Sequence, residues 1–405
     1  MNTFLYFLIF TVLALINNLV IEGISGAQLW KYPLIIILLF YILIHNNTTY
    51  TRPTYIKLCY ILAFIKIFHL SSFHSSLYFQ ENLLTFCRFF IFALSWDFIT
   101  LYFRRHPEKR IHLATLYYAI FASLLFIPFL FHLFPSPKRG IILAEEVAGG
   151  FVGLCGSAHG ASIWSAFSLL TLLWFFLYNK ATFTTKIFLC FLICCDFYIL
   201  YSAYVRTGYL MFIIGSIFLY LQKGKKTWHH LLFLGSFIAL ITWALSLNLE
   251  DAFTKRLIGV QYDGHIDVGS GRSTFMLLAL EAWKDSNLYG WIFGIGQSAV
   301  MDKIYDEFGI RVYAHNGFID MLTASGLIGI TLMIGIALSV WRLLWKNKTS
   351  PYFYLASALW GAYYSMQATQ GGQALEQDCW LYLASLLLLP TYSTKEKGVA
   401  SNETL

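Results

Sequence analysis

Between residues 161 and 178 the chain reads ASIWSAFSLLTLLWFFLY, eighteen residues without a charge. A run of that length can cross the hydrocarbon of a bilayer and is too apolar for an ordinary surface helix. Similar runs extend on both sides of it, at 3–20, 27–45, 55–73, 83–103, 112–134, 187–205, 207–222, 229–248, 316–341, 352–369 and 377–391. Together they predict twelve spanning helices, the second, third and last being short or interrupted by polar residues. The first run has neither a charged leading segment nor a small-residue cleavage site, so it reads as a retained helix.

Composition agrees. The 405 residues are 58% hydrophobic and only 12% charged, where soluble domains run about 25% charged, and the mean hydropathy is +0.63. Water-soluble enzymes, nucleic-acid binders and disordered chains are excluded. The net charge of +7 is therefore a topology signal. The seven cysteines lie mostly inside apolar runs, without CxxC spacing or partnered histidines. They form neither a disulfide framework nor a zinc site.

Lysine and arginine set the orientation. With the N-terminus inside, the inner connections collect Arg52, Lys57, Arg104, Arg105, Lys109, Arg110, Lys180, Lys186, Lys223, Lys225, Lys226, Arg342, Lys346, Lys348, Lys395 and Lys397. The short outer connections hold only Lys31, Lys138, Arg139 and Arg206. This positive-inside bias places both termini in the cytoplasm. The expected fold class is thus an all-α polytopic membrane protein, a single membrane domain over 1–405. A long outer loop at 249–315, between the ninth and tenth spans, is acidic and Gly-containing, with a mildly amphipathic stretch around 274–283. Loops this long in a tight bundle are usually functional. No 20–50-residue repeat and no paired broken helices are evident in the sequence.

Three basic residues stand out by position. Arg206 lies in the tight outer turn Tyr204-Val205-Arg206-Thr207-Gly208, and Arg272 in Gly269-Ser270-Gly271-Arg272-Ser273. His315 lies in Tyr313-Ala314-His315-Asn316-Gly317, where the long loop meets the tenth span. Two bidentate cationic donors and a histidine on one face suit an anionic phosphate and a proton acceptor. Taken singly each has a plainer reading: a snorkelling anchor, a solvated loop charge and a neighbour of a helix cap.

From Arg206 to Trp341 the chain resembles the O-antigen ligase and O-antigen polymerase superfamily, bacterial inner-membrane glycosyltransferases of lipopolysaccharide assembly. The resemblance rests on an ordered set of motifs: Arg206-Thr207-Gly208, Gly271-Arg272-Ser273, Gly294-Ile295-Gly296, His315-Asn316-Gly317-Phe318 and Gly326-Leu327-Ile328-Gly329. It covers about a third of the chain. Val205-Arg206-Thr207 departs from the family's Ser-Arg-Gly-type turn but keeps the arginine. The resemblance implies en bloc transfer of a glycan from undecaprenyl pyrophosphate at the periplasmic face, with no metal and no other cofactor. It makes Arg206 and Arg272 the pyrophosphate-binding arginines and His315 the essential histidine. The partners it implies are the lipid-linked glycan, an acceptor glycan lipid, a chain-length regulator and the bilayer, with no nucleic acid.

Charge develops on the departing lipid pyrophosphate, so donors fixed there favour the transition state. An arginine about 4 Å from one phosphate charge contributes on the order of 4 kcal/mol at an effective dielectric near 20. His315 would take the acceptor hydroxyl proton, and attack from the opposite face inverts the anomeric centre.

A second tier of substrate-binding candidates is Lys66 and Arg88, charged within spans, and Arg139. Arg88 has a structural alternative in pairing with Asp97. Asp196 and Asp320 read as interhelical hydrogen-bond partners rather than acids. Glu145 and Glu146 read as solvated loop charges. Tyr262, Trp283, Trp291 and Tyr305 suit either sugar stacking or packing. Polymerase is preferred to ligase on the Arg139-x10-Gly150 arrangement, and a flippase of lipid-linked sugars is the reading from another class.

Overall fold

The computed structural model describes residues 20–21, 24–45, 51–69, 76–105, 111–133, 151–153, 158–179, 182–203, 205–222, 260–262, 265–267, 272–309 and 311–370. These are helical apart from turns and two minimal antiparallel ladders, β1 (Val20–Ile21) with β2 (Ile24–Ser25) and β3 (Val260–Tyr262) with β4 (His265–Asp267). The helices are α1 (Gly26–His45), α2 (Thr54–Ile65), α3 (Ser76–Arg105), α4 (Ile111–Leu130), α5 (Ala158–Tyr178), α6 (Phe183–Ser202) and α7 (Arg206–Tyr220). After β4 come α8 (Arg272–Lys284), α9 (Leu288–Phe293), α10 (Gln297–Phe308), α11 (Gly317–Lys346) and α12 (Phe353–Thr369).

The expected spans at 3–20 (but for its last residue), 229–248 and 377–391 lie outside the described residues, as do Arg139, Glu145, Glu146, Gly150 and the turn Gly269–Gly271. Each of the other nine overlaps a helix, the one at 55–73 through Thr54–Ile65 and the 3-10 turn Lys66–His69. Among the described residues, four helical stretches are long and apolar enough to cross a membrane: Thr85–Phe103, Ala158–Tyr178, Phe183–Ser202 and Gly317–Lys346. The apolar surface fits that reading, since α1 leaves Ile36 68% and Phe40 64% exposed. Water would penalise such a face, whereas lipid does not.

Two compact units divide the chain: Met1–Thr115 with Arg272–Ala356 and Met366–Leu405, and Leu116–Gly271 with Ser357–Ser365. In the second unit α5 is the central element. It carries no Asp, Glu, Lys or Arg and is buried from Ala161 to Leu172, as a helix surrounded by others must be. It packs against α6 and α7. Gly208 and Gly215, seven residues apart on α7, set its approach, because side chains there would collide with Ser162 and Leu170.

In the first unit α2 packs on α3 and α11, and α1 on α3. Asp97 on α3 is wholly buried; Arg52 Nε donates to its Oδ2 at 2.6 Å, and the Tyr60 hydroxyl donates to the same oxygen at 3.0 Å. Of the two readings of Arg88, the pairing with Asp97 is the one the geometry does not favour. Nine residues along one helix separate Arg88 from Asp97 by about 13.5 Å of rise, whereas the loop before α2 brings Arg52 straight onto the carboxylate.

The segment from α8 to the start of α11 has its own small core. Phe275 and Ala279 of α8 meet Val300 and Ile304 of α10, with Ala314 from the chain leading into α11. The stretch read as amphipathic, 274–283, lies within α8 and turns Phe275 and Ala279 inward.

Candidate functional site

His315 and Arg272 come together where this small core meets α11. Arg272 is the first residue of α8, and Phe275, one turn later, packs its ring 6.0 Å from the His315 ring. His315 has φ +59, a left-handed conformation that few non-glycine residues hold and that collects at functional sites. Burial first, and then the nearby Arg272 guanidinium, push the imidazole down from 6.5 to about 4. The ring is therefore neutral at pH 7 and able to accept a proton.

The next residues explain His315-Asn316-Gly317-Phe318 one by one. Asn316 caps α11, its Oδ1 accepting the N–H groups of Phe318 and Ile319 at 3.0 and 3.2 Å. Its Nδ2 donates to the Ala368 carbonyl at 3.1 Å. Gly317 leaves the room that the Gln367 side chain fills. Arg272 Nη1 donates to the Thr369 carbonyl at 2.8 Å. Two motifs distant in sequence are thus tied, through Arg272 and Asn316, to adjacent carbonyls in the last turn of α12, groups that a helix end leaves without partners of its own.

Asp320 accepts the backbone N–H of Ala314 at 3.0 Å, because the first turn of α11 places its carboxylate beneath the incoming chain. Lys66, in the short 3-10 turn after α2, is 3% exposed. It donates to Ser325 Oγ, sits 4.9 Å over the Phe89 ring and lies within electrostatic reach of Asp320. Arg206 opens α7 in the second unit, where the carbonyl of the preceding Val205 accepts the Ser162 hydroxyl at 3.5 Å.

The two glycine motifs interlock. Gly326 breaks α11 with φ +68, and Gly294 holds φ +86. A Cβ on Gly326 would strike the Ile292 carbonyl, and one on Gly294 would strike the Ala324–Ser325 backbone. The Thr323 carbonyl at the break accepts the Ile295 N–H at 2.9 Å. The sequence reading noted both motifs without finding the helix break that joins them.

Asp196 is an interhelical hydrogen-bond partner as read, accepting from Ser123 of α4 at 2.9 Å. Trp283 and Trp291 stack with centroids 5.8 Å apart, and Tyr305 is 50% exposed. Sequence reasoning missed Phe275, Gln367 and the carbonyls of Ala368 and Thr369. Only Phe275 carried a signal, as an aromatic one turn after Arg272. Searched against known proteins, the chain matches no family model and no curated sequence.

Proposed function

We propose that the chain is a glycosyltransferase of the bacterial inner membrane, acting at the periplasmic face on a glycan carried by undecaprenyl pyrophosphate. The supporting observation is the pairing of a neutral, conformationally constrained His315 with the Arg272 guanidinium. In this reading a sugar hydroxyl of the acceptor attacks the anomeric carbon, and its proton passes to His315. The anomeric carbon–oxygen bond breaks and the lipid pyrophosphate leaves with the electron pair, neutralised by Arg272. Configuration inverts. Twelve spans, cytoplasmic termini and a periplasmic 249–315 loop belong to the same proposal.

Polymerase, with the next lipid-linked repeat unit as acceptor, is preferred. Ligase, with lipid A–core as acceptor, is the second reading. A flippase receives less support: the break in α11 is filled by Gly294 and Ile295 rather than lining a path. Deletion of the gene, read on a lipopolysaccharide gel with complementation by wild type and by His315→Ala, tests the proposal. A ladder reduced to one repeat unit on core, rescued by wild type alone, means polymerase. Loss of every repeat with capped chains left on the lipid carrier means ligase. An unchanged ladder rejects both for lipopolysaccharide.

A further inference from the structure

The second unit contains a polar cluster that this mechanism does not use. Asp196, 0% exposed, projects from α6, which is long and apolar enough to span a membrane. Its Oδ2 is 2.9 Å from Ser123 Oγ. Ser123 Oγ is also 2.9 Å from Ser168 Oγ and 3.0 Å from the Ala119 carbonyl. Ser168 Oγ is 2.9 Å from that same carbonyl. Asp196 Oδ1 is buried with no hydrogen-bond partner. Three helices, α4, α5 and α6, thereby gather five oxygens in a space a few ångströms across.

The proton inventory does not fill this cluster. Two hydroxyls supply two protons for four oxygen–oxygen contacts, and neither the carbonyl nor an ionised carboxylate supplies any. A protonated Asp196 would add a third, still one short. An ionised Asp196 would also be unbalanced in charge, and an uncompensated carboxylate deep in an apolar bundle is among the costliest groups a fold can hold. A cation among the oxygens answers both deficits at once. One carboxylate balances a single positive charge, whereas a divalent ion would leave an excess. Carboxylate, hydroxyl and carbonyl oxygens are hard ligands, and their close spacing favours a small ion.

We propose that Asp196, Ser123, Ser168 and the Ala119 carbonyl form a binding site for one sodium ion that pins α4, α5 and α6 together. The site stands independently of the glycosyltransferase reading. Its test is thermal unfolding of the purified full-length protein in detergent, in sodium, potassium or choline chloride at equal ionic strength. A site occupied in the folded chain alone stabilises by mass action. Sodium is therefore expected to raise the Tm with concentration, and potassium and choline are not. Ser168→Ala and Asp196→Asn should each weaken the sodium response at least tenfold in half-saturating concentration. If Asp196→Asn fails to fold, Ser168→Ala and sodium-23 line broadening on the wild type carry the test. Equal Tm in all three salts overturns the site. So does a Tm that rises on acidification without any response to sodium, which would mean that Asp196 is held by a proton alone.

Discussion

The Asp320 carboxylate accepts the backbone N–H of Ala314, the residue immediately before His315, at 3.0 Å. Both residues are fully buried, and the bond fixes the chain just where His315 takes up its left-handed conformation. Asp320→Leu would leave that N–H unsatisfied, at a cost of about 1–3 kcal/mol. Asp320→Asn keeps an acceptor oxygen and should cost less. On the proposed reaction, the leucine variant loses turnover while substrate affinity changes little. Thermal unfolding and a kcat against KM comparison measure the two effects. Equal behaviour of the two variants would remove the positioning role.

The pH behaviour of His315 has a definite sign. Its folded value, about 4, lies below the ordinary 6.5. Between these values the unfolded chain binds a proton that the folded chain refuses. The stabilisation is complete above 6.5 and drains away as pH falls to about 4. His315→Gln should lose this component of acid sensitivity. In activity, the acid limb of kcat/KM should fall near 4 in the wild type. Arg272→Gln, lacking the neighbouring charge, should move the limb part of the way back towards 6.5, because burial still acts. Arg272→Lys should leave it low. A limb unmoved in Arg272→Gln would separate the two residues.

Glycines of nearly equal φ should respond unequally to substitution. Gly309 has φ +67 with nothing near its missing Cβ, so Gly309→Ala carries only backbone strain, about 1–2 kcal/mol. Gly326, φ +68, faces the Ile292 carbonyl. Gly326→Ala adds a collision between main chains that no side-chain rotation relieves, and should exceed about 3 kcal/mol or abolish folding. Comparable melting temperatures for the two variants would contradict the interlock.

Much of the helical layout was legible because a spanning segment announces itself by uninterrupted apolarity, which needs no partner to interpret. The bracket on Arg272 and Asn316 was not, because backbone carbonyls such as those of Ala368 and Thr369 have no sequence signature. Lys66 was conspicuous as a charge among apolar residues, yet its partner Ser325 lies 259 positions away. Asp97 shows the same limit: a candidate on its own helix drew attention while Arg52, in a distant loop, held the carboxylate. The Gly294 and Gly326 motifs were visible as text. Their meaning appears only when each is placed against the backbone of the other.

The interruption at Gly326 also graduates the helix as a depth gauge. Residues 327–346 rise about 30 Å, the hydrocarbon thickness of a bilayer. The nine residues before the interruption add about 13 Å beyond it. On the topology proposed above, Gly326 would mark the outer edge of the hydrocarbon. On the proposed topology Asn316 lies beyond the hydrocarbon and Lys346 at the opposite headgroups. On the same topology Lys66, buried against Ser325 one residue before the break, lies near the edge of the hydrocarbon rather than at mid-depth, where a charge is most costly.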